Sequence, residues 1–518
     1  MHSSQSSDQG SACYRVFQVS ELLEQIFAYA AKGSGARLLR VSRHMFTCIA
    51  PLVWSDTEVE PLLTTIPGTR VAAVMGELAM MPYTFIFPPI MDLTRYNVYA
   101  PFIRTLRSHL PYNINFPKQA MPKPLLPNLL RLIAVATSST ELYPFDWMYW
   151  FIYPGLLEVK VQTRDQEDIC HNPTFRDHPW SDRASSLEML ERLSLRCPRL
   201  RVLRMYPKRL TGCLEEIYLP VYKLVASLTQ LRSLTLPGDI VHHELLSALG
   251  QLPHLESLYI CAEKISMRET QHVVQLPGNS FPSLRRLVLH RFMMDTWSQV
   301  FQARPLFCNL ITLVIIYDIP SNMQTTRHLD DPLTRLGSSC SNVRELTLFN
   351  RHDSGLNRLI LSPAIINILQ QMPSMQILSL GCIHFNISLF GEEELSEGSL
   401  TRSLVGWRKL LNVIQHVEEL HIDDQNLSSQ ELILIGSHLP RLRLLVFNTV
   451  EFDQSEEPSA VESTIQPITI CANSYFGSRA ASDAGQLAST GEEIMRDESS
   501  MISQAARYVK GLRKIQYH

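Results

Sequence analysis

Apolar residues along this chain fall into one nine-residue frame, apolar-x-x-Leu-x-x-Leu-x-apolar, repeated many times. Leu252-Pro253-His254-Leu255-Glu256-Ser257-Leu258-Tyr259-Ile260 is one copy, and Phe281-Pro282-Ser283-Leu284-Arg285-Arg286-Leu287-Val288-Leu289 is another. Further windows open at Leu126, Tyr153, Cys197, Leu228, Phe307, Cys340, Met372, Ile414, Leu439 and Val509, with a degenerate copy at Ala100. The closing Leu-x-apolar alternates with period two, which predicts a short strand whose apolar residues share one face. Upstream of most windows the spacing becomes helical, as in Leu245-Leu246-Leu249-Leu252, Ile365-Ile366-Leu369-Met372 and Leu432-Ile433-Ile435-Leu439. A proline often stands second in the window, at Pro101, Pro127, Pro154, Pro198, Pro253, Pro282, Pro373 and Pro440. Proline lacks an N–H and turns the residue before it away from helix, so each unit reads helix, turn, strand.

Most windows start roughly 24–33 residues after the previous one. With the L-x-x-L-x-apolar core, that spacing resembles a leucine-rich repeat. One such unit cannot bury its apolar face alone, so neighbours must stack. The implied fold is α/β: an irregular leucine-rich-repeat solenoid, or horseshoe, over residues 99–450. The Asn or Cys that usually follows the strand is absent from most units, although Asn448 lies near that position. Strand side chains alternate, so residues between the frame positions point away from the core. The predicted concave row is Arg204, Tyr206, Tyr259, Arg286, Val288, His290, Val314, Ile316, Thr347, Phe349, His421 and Asp423. Aromatic and Arg residues are enriched at interface hot spots, which makes this row the expected substrate-binding face.

A different pattern opens the chain. Leu22, Leu23, Ile26, Phe27 and Ala30 form one helical stripe, closed by Gly33-Ser34-Gly35. A second helix is predicted through Leu38, Val41, Met45, Ile49 and Leu52, bent or ended by Pro51, and a third short segment holds Leu62, Leu63 and Ile66. Val19-Ser20-Glu21-Leu22-Leu23-Glu24-Gln25-Ile26-Phe27 resembles the opening of an F-box. Ala36-Arg37-Leu38-Leu39-Arg40-Val41-Ser42-Arg43 and Ile49-Ala50-Pro51-Leu52-Val53-Trp54 are similar to its later motifs. Ser20 stands at the family's usual Pro, and Met45-Phe46 at its usual Trp. The layout resembles fungal F-box-like proteins with degenerate C-terminal leucine-rich repeats. The resemblance implies a small three-helix domain over residues 14–66 that binds a Skp-family linker and, through it, a cullin scaffold. The residues it assigns to that contact are Val19, Leu22, Leu23, Ile26, Phe27, Leu39, Val41 and Trp54. The repeats would then hold a protein substrate for ubiquitin transfer by other subunits of an SCF ligase. The alternative is a repeat scaffold with no ligase connection, its first helices capping the solenoid.

Composition narrows the chemistry. The chain has 518 residues, 45% of them hydrophobic and 19% charged, enough for a large core and more than one domain. A net charge of −3 gives no strong pull towards nucleic acid or an acidic membrane. Residues 1–12 are polar, without the apolar core of a secretory signal, and residues 1–13 read as disordered. No apolar run reaches the ~18 residues that a membrane span needs. The 10 cysteines form no CxxC pair and read as reduced, buried thiols. The expected location is cytoplasmic or nuclear. Cys170, His171, Asp177, His178 and Asp182 cluster in a polar stretch but match no metal-ligand frame. No phosphate loop, nucleophile elbow or zinc-protease motif is present, so the expectation is a non-catalytic adaptor without metal or cofactor. Residues 67–98 are a Pro-rich, aromatic connector. Residues 451–506 read as an acidic, Ser-rich disordered insertion, and residues 507–518 as a terminal repeat strand.

Overall fold

The structure is a computed structural model of the chain. It describes residues 19, 21–22, 25–26, 37–73, 83–109, 112–116, 124–136, 146–163, 183–205, 223–237, 243–261, 276–292, 303–318, 336–337, 339–351, 358–361, 363–385, 399–451, 469–472 and 514–517. Two compact units divide the chain, Met1–Leu236 and Pro237–His518.

In the first unit, helix α1 (Arg43–Trp54) starts where Ser42 adopts an extended backbone and its hydroxyl accepts from the Met45 N–H. The helix predicted from Leu38 is therefore interrupted. Arg40 and Val41 donate to the carbonyls of Arg37 and Leu38 in a tight turn, and the Ser42 cap restarts the helix. Strand β1 (Asp56–Glu58) follows at once, inside the stretch read as a helical box. It begins a parallel sheet ordered β1, β4 (Thr105–Ser108), β6 (Arg131–Ala136), β7 (Glu158–Thr163), β8 (Val202–Arg204) and β9 (Ser233–Pro237). The short helix α2 (Val59–Leu63) is anchored by Val59, Leu62 and Leu63, all fully buried. The connector contributes a small separate sheet: β2 (Arg70–Ala73) pairs antiparallel with β3 (Tyr83–Ile86), which pairs in parallel with β5 (Tyr112–Ile114).

The second unit repeats one parallel plan: β10 (Ser257–Cys261), β11 (Arg286–Phe292), β12 (Thr312–Asp318), β13 (Glu345–Arg351), β15 (Ile377–Leu380), β17 (Glu419–Ser428), β18 (Leu444–Glu451), β19 (Thr469–Ala472) and β20 (Lys514–Tyr517). Strands β14 (Arg358–Leu361) and β16 (Cys382–Phe385) pair apart from it, outside the nine-residue frame. Strand β19 lies within the acidic stretch read as disordered; most of that stretch falls outside the described residues. The predicted helices stand at His243–Gly250, Pro363–Gln370 and Ser429–His438.

Two hydrogen-bond devices make the frame repeat. Within a window, the N–H of position four donates to the carbonyl of position one. Leu200 to Cys197, Leu231 to Leu228, Met375 to Met372 and Leu442 to Leu439 are examples at 3.0–3.2 Å. That bond closes a four-residue turn, and proline at its second position presets the required φ. Between windows, one carbonyl serves two donors. Arg285 O accepts from Ile311 and Thr312, Ile311 O from Arg344 and Glu345, and Arg344 O from Gln376 and Ile377, all at 2.7–3.0 Å. In the first unit Arg104, Leu130, Leu157 and Arg201 accept in the same way. The Leu that follows is thereby aimed inwards: Leu258, Leu287, Leu313, Leu346, Leu378 and Leu420 are at most 1% exposed.

The missing Asn or Cys after the strand has a substitute at the turn. Asn128 Nδ2 donates to Pro101 O, Ser283 Oγ to Pro253 O and Asn342 Nδ2 to Cys308 O, each reaching the preceding window.

Candidate functional site

Strand alternation and register place the predicted row on the face opposite the leucines. In the second unit it resolves into three lines across the strands. The first joins Ser257, Arg286, Thr312, Glu345, Ile377 and Glu419. The second joins Tyr259, Val288, Val314, Thr347, Ser379 and His421. The third joins Cys261, His290, Ile316 and Phe349.

Burial divides the row. Tyr259, Val288, His290, Ile316 and Phe349 are only 2–6% exposed. Bulky residues at the same position of adjacent strands stand about 4.8 Å apart and shield one another. Arg286, Val314, Thr347 and His421 are half-buried and remain reachable. Asp423 lies on strand β17, but its side chain is outside the described residues, as is all of Tyr206. Thr312, Glu345, Ile377 and Glu419 belong to the same face and were missed. Their signal was available: each occupies the window position of Arg286.

The polar groups on this face are unequally served. Thr312 Oγ1 donates to Glu345 Oε2 at 2.8 Å, and His421 Nε2 lies 3.7 Å from Glu419 Oε2. The Arg286 guanidinium sits 6.0 Å from the centre of the Tyr259 ring, while its Nε is buried without a hydrogen-bond partner.

In the first unit, Arg204 aligns with Lys160 on one side and Thr235 on the other. Lys160 Nζ meets Glu158 Oε2 at 2.8 Å, and Arg107 forms a bidentate contact with Asp56 at 2.8 and 2.9 Å.

The expected linker-binding residues divide. Val19, Leu22, Ile26 and Val41 are exposed, Val41 by 64%. Leu39 is half-buried and packs against the small core of Met45 and Ile49. Trp54 stacks on Tyr99 with ring centres 4.3 Å apart, so its ring is engaged within the first unit. Leu23 and Phe27 are outside the described residues.

Two thiols at repeat positions are chemically quiet. Burial pushes the Cys197 thiol up to about 12, and its Sγ donates to Tyr153 O. Burial also raises the Cys340 thiol. Neither is a thiolate nucleophile at neutral pH. Among the described residues, no group of three or more His, Cys, Asp or Glu side chains is placed to hold a metal ion. No helix among them is long and apolar enough to cross a membrane.

No family model matches the chain, and no curated protein matches it significantly. Several solved structures are similar in shape. An internalin from Listeria monocytogenes shares 14% identity at a TM-score of 0.31, over 83% of this chain and 92% of the internalin chain. TLR13, in a complex with ssRNA13, shares 13% identity at 0.36, over 72% of this chain and 50% of its own. The leucine-rich repeat-containing protein LegL7 from Legionella pneumophila shares 14% at 0.33, over 60% of this chain and 89% of its own.

Proposed function

We propose that this chain is a non-catalytic substrate-recognition adaptor of an SCF ubiquitin ligase. Its opening segment engages a Skp-family linker and, through it, a cullin; its strand faces hold a protein substrate. The observation that carries the ligase half is the set of exposed apolar residues, Val19, Leu22, Ile26 and Val41, within the segment that resembles an F-box. Apolar side chains on short helices suit a helix-on-helix interface. The substrate half rests on the repeat architecture, since stacked strands offer an extended binding surface. The contribution to catalysis would be proximity, raising the local concentration of substrate lysines near a conjugating enzyme.

A second reading has its own support. Trp54 packs on Tyr99, and β1 joins the sheet directly after α1, as a cap on the repeats would do. In that reading the chain is an interaction scaffold with no ligase link.

The deciding experiment is capture of a recombinant Skp-family linker by the full chain and by Leu22→Ser/Ile26→Ser. Both side chains are exposed, so folding is expected to survive. Burying each is worth up to about 1.5–3 kcal/mol, so losing both abolishes micromolar binding. No capture by the unaltered chain rejects the ligase reading in favour of the scaffold. Equal capture by the folded double variant rejects the residue assignment.

A further inference from the structure

We propose that the strand face of the second unit reads a protein segment bearing one acidic and one basic residue about 10 Å apart. Arg286 takes the acid and Glu345 the base. This rests on reading the strand face as a protein-binding surface and adds what that surface selects.

Arg286 and Glu345 stand on one line across the sheet, with Thr312 between them. Two strand steps of about 4.8 Å separate their backbones, and no ion pair joins the two side chains. Both are half-buried. Elsewhere, charges brought within reach do pair, as Arg443 does with Glu418 at 3.2 Å and Arg107 with Asp56 at 2.8 Å. Arg286 has no hydrogen bond or ion pair among the described residues, and the Tyr259 ring lies 6.0 Å from its guanidinium. Glu345 accepts only from the Thr312 hydroxyl and faces no cation within ion-pair distance among those residues. Among the described residues, the face therefore presents a cation and an anion on one line with no ion-pair partner for either.

The surroundings sharpen both. The Tyr259 ring lies 6.0 Å from the guanidinium, at the edge of cation–π range, and the planar guanidinium fork suits a carboxylate. Val288, beside it on β11, and Ile316 on β12 are nearly closed to solvent, so water competes poorly once a partner covers the line. A chain in the polyproline II conformation advances about 3.1 Å per residue with three residues per turn, so side chains three apart share one face and stand about 9 Å apart. The matching segment takes that conformation, with Asp or Glu three residues from Lys or Arg. On one helix turn, residues three or four apart come within about 5–6 Å, too close to satisfy both.

The test is an array of immobilised synthetic peptides carrying one Asp and one Arg at separations of one to six residues. It is probed with the purified full chain and with Arg286→Gln and Glu345→Gln, whose positions are open enough to leave folding intact. Retention is expected to peak at a separation of three and to exceed a Asn/Gln-neutralised peptide about tenfold. Arg286→Gln should erase the benefit of the peptide Asp but not of its Arg, and Glu345→Gln the reverse. Retention independent of spacing, or losses that do not follow this crossed pattern, overturns the proposal. Linker capture separates the two ideas. Failure of the array with capture intact rejects this proposal alone, whereas failure of capture with the crossed pattern intact rejects only the ligase reading.

Discussion

Phe281 holds a backbone conformation that most side chains avoid, with φ of 58°. Its ring is 1% exposed, and its N–H donates to Gly250 O at 2.9 Å. Burial of a Phe, worth about 1.5–3 kcal/mol, offsets the backbone cost. The close approach also explains the glycine. A Cβ at Gly250 would stand 2.8 Å from Ser280 Cβ. Gly250→Ala is expected to lower stability by about 1–3 kcal/mol, read as the urea midpoint. A midpoint equal to the parent's would show that the turn has room to give. Cysteines make a second residue-scale case. At pH 8, iodoacetamide should modify exposed Cys308 and spare buried Cys197, Cys261 and Cys340 until the chain unfolds. Because the Cys197 thiol rises from 9.0 to about 12 in the folded chain, the unfolded chain ionises first. Its contribution is complete below pH 9 and is lost as pH climbs towards 12, so stability should fall across that window. Cys197→Ala should flatten the decline; an unchanged slope would assign it to other groups.

At the scale of elements, helix Ser429–His438 shows how one side chain serves two structures. Glu431 closes a capping box with Ser428, accepting from its N–H at 2.8 Å, and also accepts the buried Trp407 Nε1–H at 3.0 Å. Glu431→Ala removes the carboxylate half of the capping box and the acceptor of the indole N–H, while the Ser428 hydroxyl still accepts from the residue 431 N–H. The expected loss is about 2–4 kcal/mol, and Glu431→Gln should recover part of it by keeping an acceptor. A loss no larger than an ordinary cap's, about 1 kcal/mol, would mean that the indole finds another partner. The leucine frame, the proline turns and the apolar spacing of this helix were legible in sequence because each is local: a period or a fixed position. Strand β1 was not. Its three residues carry no alternation that distinguishes them, and its place is fixed by pairing with β4 almost 50 residues away. Strands β14 and β16 escaped for the same reason. On the strand face, sequence picked out Arg286 and His421 by residue type. It missed Thr312, Glu345 and Glu419, which are ordinary residues made significant by register. Sequence could not show that bulk at adjacent positions closes the surface over Tyr259, Val288, His290, Ile316 and Phe349. At 6% exposure Tyr259 is too enclosed for truncation to report on the face alone, so Tyr259→Phe is the gentler probe.

At the scale of the molecule, the shared carbonyls make each repeat the template for the next. Ile311 O holds Arg344 and Glu345, while Arg344 O holds Gln376 and Ile377. No described helix or loop replaces this ladder, so a repeat's order depends on its immediate neighbours more than on distant ones. Leu346→Ala tests the consequence. The side chain is 1% exposed, and its truncation should cost about 2.7–5 kcal/mol. If coupling runs mainly between neighbours, amide exchange should quicken most in β13, then in β12 and β15, and least in β10 and β18. Leu132→Ala in the first unit should instead quicken β6, β4 and β7. The alternative is a single cooperative core in which either truncation raises exchange evenly through its whole unit. Hydrogen exchange at several denaturant concentrations separates these outcomes, because local openings and global unfolding depend differently on denaturant. An even rise would reject nearest-neighbour coupling. A graded one would also locate where the strand face can yield to a ligand, since the strands that open first are those least held by their neighbours.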